Sequence, residues 1–172
     1  MRRTAVQVGA ILLVAAAGLF LVLTRSIREH KVGQKSERAV RDLLAAQAAI
    51  DSFARREGAP FEPAEDHSLP AAFSEHFARL RGDAPFHREQ ARIARLDVFA
   101  RPRPYGEPLA YYVDGPWWVL ASRGPDGVLD VTPDLLTATP DPAARLDALL
   151  RLSYDPTNGV ESRGDLWVSN LE

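Results

Sequence analysis

The sequence predicts an α+β protein in which a long N-terminal membrane-spanning helix packs on a small antiparallel β-sheet head. Three observations predict it. Thr4–Thr24 contains no charged residue, and apolar side chains recur at helical spacing beyond it, as far as Gly58. No proline interrupts residues 1–59. Leu109–Val113 and Trp117–Ala121 are β-rich runs on either side of Asp114-Gly115-Pro116, which is a hairpin pattern.

Size and composition set the frame. The chain has 172 residues, enough for one globular domain and an anchor. Its 46% apolar and 26% charged content is that of a folded protein and argues against wholesale disorder. Cysteine is absent, which excludes disulfides, thiolate metal sites and Cys nucleophiles. Charge is unevenly placed: residues 1–103 carry 17 basic and 12 acidic residues, and residues 104–172 carry 4 and 11. The acidic C-terminal third favours cations or basic partners over nucleic acid.

The elements follow in order. Residues 1–3 are a short basic N-terminus, and 4–24 form the transmembrane helix, long enough to cross a bilayer core. Leu23-Thr24-Arg25-Ser26 is a poor signal-peptidase site, so an uncleaved signal anchor is expected. Gly9, Ala10, Ala15, Ala16, Ala17 and Gly18 are small residues that let neighbouring membrane helices approach closely. Residues 25–58 read as an amphipathic stalk with Val40, Leu43, Leu44, Ile50, Phe53 and Ala54 on one face and Gln47 interrupting it. Gly58-Ala59-Pro60 ends the helix.

Residues 59–172 form the head. A loop with three prolines leads to a short helix carrying Ala72, Phe73, Phe77 and Leu80. Gly82-Asp83-Ala84-Pro85 breaks it, residues 86–96 read as another helix, and Leu96–Ala100 begins an extended segment. The proline-rich stretch 101–108 is a stiff connector into the hairpin. Trp117 and Trp118 point to opposite faces of the sheet. Asp141-Pro142 is an N-cap and first-turn pair for a helix reaching Leu152. Leu166-Trp167-Val168 is a closing strand.

Three stretches carry a resemblance. The membrane helix continues into a stalk over Thr4–Glu57. The sheet entry is Tyr105-Gly106-Glu107-Pro108-Leu109-Ala110-Tyr111. The hairpin is followed by Ser122-Arg123-Gly124-Pro125-Asp126-Gly127 and an Asp-bearing loop. Together they resemble the pilin-like proteins, and more narrowly the major pseudopilin of type II secretion systems. The resemblance implies a single-pass bacterial inner-membrane protein with its head in the periplasm. Its partners would be other pilin-like subunits or secretion-system membrane proteins. It also implies a calcium ion in the loop, with Asp126, Asp130 and Asp134 as the matching carboxylates. The prepilin peptidase cleavage motif is missing: Gly9 and Gly18 are followed by Ala10 and Leu19, and the span holds no Glu. An uncleaved relative that caps, recruits or regulates is the expectation.

One further reading stands beside this one. Arg25, Arg28, Lys31, Lys35, Arg38 and Arg41 flank the span on its C-terminal side, against Arg2 and Arg3 before it. By charge counting, the head is a cytoplasmic interaction module tethered to the membrane. No enzymatic constellation is evident. His30, His67, His76 and His87 form no metal-spaced pair and read as surface residues. Ser122 lies outside any nucleophile elbow.

Overall fold

The structure is a computed structural model that describes residues 2–82, 84–100, 107–138, 140–155, 157 and 163–171, with backbone alone for residues 2–18. The elements are α1 (Arg2–Glu57), α2 (Ala71–Leu80), α3 (Pro85–Ile93), β1 (Ala110–Asp114), β2 (Trp117–Ser122), α4 (Pro133–Thr137), α5 (Pro142–Arg151) and β3 (Leu166–Ser169). The architecture is α+β: a long N-terminal helix and one antiparallel sheet in the order β1-β2-β3. The chain divides into two compact units, Met1–Gln34 and Lys35–Glu172. Residues 35–58 of the expected stalk therefore belong to the same unit as the head.

In the first unit, Leu19, Phe20, Leu21, Val22 and Leu23 are all more than half exposed. An unbroken apolar surface of this kind needs a cover of lipid or protein. The Thr24 hydroxyl donates to Phe20 O at 2.9 Å, which keeps it satisfied within the helix. Among the described residues, no helix is long and apolar enough to cross a membrane. Most of the expected span, and all six small residues of its packing stripe, have side chains outside the described set.

In the second unit the sheet is buried on both faces. One face carries Tyr111, Val113, Trp118, Leu120, Leu166 and Val168 against Leu43, Ala46 and Ile50 of α1 and Phe73 and Phe77 of α2. The other carries Tyr112, Val119, Ala121 and Trp167 against Val131, Leu136 of α4 and Leu149 of α5. This is strict period-two alternation, and burial on both sides explains why Trp117–Ala121 is continuously apolar. Trp118 and Trp117 do point to opposite faces, into the two clusters. The hairpin turns at Gly115, whose φ of 58° suits glycine.

Several boundaries differ from the sequence reading. The buried stripe of α1 is Ala39, Leu43, Ala46, Ala49 and Ile50, while Val40 and Leu44 are exposed. The alanines bring the helix close to the sheet, and hydropathy under-weights them. Gln47 is used rather than tolerated: its side-chain N–H donates to Ser169 O at 3.3 Å. Leu96–Ala100 is not extended: Leu96 makes an isolated bridge to Pro108, and a turn follows it. The connector at 101–106 lies outside the described residues. Asp141 caps α5 as expected, accepting from Ala143 N and Ala144 N at 3.3 Å.

Candidate functional site

The segment after the hairpin, Ser122 to Asp134, is held at both ends by buried carboxylates that come from elsewhere in the chain. At the first end is Asp97, in the turn after α3. Its side chain is 1% exposed. Oδ1 accepts from Phe99 N at 2.9 Å and from the Ser122 hydroxyl at 2.7 Å. Oδ2 accepts from Arg123 N at 2.8 Å, with the Arg123 guanidinium at 3.4 Å. The same guanidinium reaches Glu107 at 3.0 Å, and Asp97 N donates to Glu107 O at 2.9 Å. One carboxylate thus ties the exit of β2 to the turn after α3 and to the strand-entry segment. Charge-assisted donors and backbone N–H groups offset its desolvation.

At the second end is Asp165, 1% exposed, just before β3. One oxygen, Oδ2, accepts from Asp130 N at 2.8 Å and Val131 N at 2.7 Å. Its backbone is fixed too: Asp165 N donates to Leu152 O at 2.7 Å, and Asp165 O accepts from Tyr154 N at 2.9 Å. The other oxygen, Oδ1, is buried with no hydrogen-bond partner among the described residues. Burial pushes this carboxyl up to about 6, opposed by the Val131 and Asp130 N–H groups and more weakly by that of Gly124, while the Asp130 charge raises it further.

Two glycines make this crossing possible. A Cβ on Gly124 would lie 1.9 Å from Gly164 O. Gly164 has φ +110°, and a Cβ there would lie 2.7 Å from Leu152 O. Both positions exclude side chains because three backbone segments pass through one point.

The three expected calcium ligands are spread along the loop in separate local roles. Asp126 is exposed and accepts from Val128 N at 3.0 Å, in a turn closed by Gly127 N donating to Gly124 O at 2.9 Å. Asp130 is half-buried and held by its backbone. Asp134 is exposed in the first turn of α4. Among the described residues, no group of three or more His, Asp or Glu side chains could hold a metal ion. The donor chemistry, carboxylates and loop carbonyls, nevertheless suits a hard cation, and Asp165 Oδ1 is an orphaned acceptor beside the loop.

A second concave surface lies between α1, α2 and α3: an open groove of about 490 Å³ lined by Arg38, Arg41 and Arg81 with Phe77, Phe86 and Ile93. Burial raises the Asp42 carboxyl at its edge, with Arg38 and Arg41 opposing. The groove's lining residues include no nucleophile and base in a catalytic arrangement. Ser122, the hydroxyl of the hairpin exit, is fully buried and spends its proton on Asp97.

The sequence reading missed Asp97, Asp165 and His76. A lone carboxylate inside Leu96-Asp97-Val98-Phe99 and another inside Gly164-Asp165-Leu166-Trp167 were available signals. His76 is buried, not a surface residue. It sits three residues after Phe73 on the buried face of α2, where the helical period would have placed it. Comparison with protein-family models, curated proteins and solved structures gives no match.

Proposed function

We propose that this protein is a non-enzymatic, pseudopilin-like component of a bacterial type II secretion or type IV pilus-like assembly. In this reading it is anchored in the inner membrane by residues 4–24, with its head in the periplasm. The observation that supports it most is the course of α1, one helix from Arg2 to Glu57 that begins in an apolar segment and ends in the core beneath a three-stranded antiparallel sheet. The clasped acidic loop after the hairpin adds to it. Such a head presents surfaces rather than an active site, and its N-terminal helix offers Gly9, Ala10, Ala15, Ala16, Ala17 and Gly18 for packing against other pilin-like helices. The same reading assigns a calcium ion to Asp126, Asp130 and Asp134, with the orphaned Asp165 oxygen in support.

A second reading, a membrane-tethered interaction module with a cytoplasmic head, is favoured by the six basic residues from Arg25 to Arg41. Parallel C-terminal fusions to alkaline phosphatase and a fluorescent protein separate the two. The secretion reading expects phosphatase activity without fluorescence. Fluorescence without phosphatase activity overturns it and leaves the cytoplasmic module.

A further inference from the structure

His76 is the most unusual polar group in the head outside the loop. It is 5% exposed. Neither ring nitrogen has a hydrogen-bond partner among the described residues. Its surroundings are aromatic: the Phe53 ring of α1 meets it edge-on with centroids 5.5 Å apart, and Phe61, from the loop after α1, does so at 5.9 Å. Phe61 in turn stacks on Phe53 at 3.7 Å and meets Phe73 at 5.9 Å. The imidazole is thus the one polar piece of an aromatic cluster that docks α2 on the end of α1. A buried polar atom without a partner is costly, and a buried unpaired charge far more so.

The charged groups acting on it come from both helices. Arg56 and Glu57 belong to α1 and Arg79 to α2. The loop between them contributes the Phe61 ring. Burial lowers the affinity of the ring for a proton, Arg56 and Arg79 lower it further, and Glu57 opposes them. Glu57 is engaged by Arg56 at 2.6 Å.

We infer that His76 is an acid-sensitive latch: neutral, it seals α2 onto α1, and protonated, it releases α2 and uncovers Phe53, Phe61 and Phe73. The sign follows from linkage. The unfolded chain takes up the proton near the ordinary histidine value of about 6.5, whereas the folded head resists it. The contribution is complete above that value and is lost as pH falls below it.

The test uses the full chain at about pH 7.5 and about pH 5.5, the two sides of the ordinary histidine value. Wild type and His76→Phe are compared, and His76→Leu serves if the larger ring disturbs packing. On acidification the wild type should lose about 3 °C or more of melting temperature relative to the variant. Hydrogen exchange, corrected for its intrinsic pH dependence, should speed up in 71–80 but not in 142–151, and only in the wild type. Imidazole titration by NMR gives a reading that needs no variant. An ordinary histidine pKa in the folded protein, or equal acid responses of wild type and variants, overturns the latch.

Discussion

The two ends of the loop at 122–134 are fastened by the same chemical group in opposite states of satisfaction. Asp97 and Asp165 are both buried, and each receives backbone N–H groups. Asp97 also has a hydroxyl and a guanidinium, so both of its oxygens are used. Among the described residues Asp165 has no cationic partner in hydrogen-bond contact, and its Oδ1 has no partner at ordinary hydrogen-bond distance. The first is a cross-link whose charge is useful. The second is a cross-link whose buried charge has fewer donors to offset its desolvation, and burial raises its pKa. Burial alone therefore does not say what a carboxylate contributes; its donors do.

The sharpest break of this comparison is at Asp97. Asp97→Ala leaves the Phe99 and Arg123 N–H groups without their acceptor, removes the shorter of the Ser122 hydroxyl's two contacts and leaves Arg123 only Glu107, and should cost about 3 kcal/mol in urea unfolding. A loss under about 1 kcal/mol would mean that water replaces the carboxylate and the cross-link is not structural. Gly124→Ala comes next. Its methyl group meets backbone, not a movable side chain, so about 3 kcal/mol is expected from differential scanning calorimetry.

Calcium removal sharpens the contrast, because an added cation would serve only the Asp165 end. If the ion is present at about a hundredfold over its Kd, chelation should lower stability by about 2.7 kcal/mol. The effect should survive Asp97→Asn and vanish in Asp130→Asn. An unchanged melt in chelator would remove calcium from the proposal. The smallest effects belong to Asp165 itself. Asp165→Ala should cost about 2 kcal/mol for two orphaned N–H groups. Asp165→Asn, which keeps an acceptor and drops the charge, should cost about 1 kcal/mol or less. Equal losses in the two variants would show that the charge matters and that the idle oxygen has a partner.

Much of the fold was legible because it is local. The course of α1, the hairpin about Gly115, the Asp141 cap and the closing strand depend on residues within a few positions of each other. The face of α1 was legible only in part. Leu43 and Ile50 were identifiable, but Val40 and Leu44 point outward, and the remaining contact is made by alanines. Close approach to a sheet rewards a small residue that a hydropathy pattern scarcely registers. The acidic character of the loop after the hairpin was also visible. Its fastening was not, since the aspartates inside it face turns and solvent while the ones that hold it lie outside.

By itself, then, the sequence determined periodicity, turns and caps, because backbone conformation answers to near neighbours. Tertiary structure alone decided what meets the buried polar groups. Asp97 finds Ser122 and Arg123 across 25 and 26 positions, and Asp165 finds Asp130 and Val131 across 35 and 34. A carboxylate's partners are set by segments that converge only when the core has formed, so apolar neighbours in the chain can hint that it is buried but cannot name what meets it.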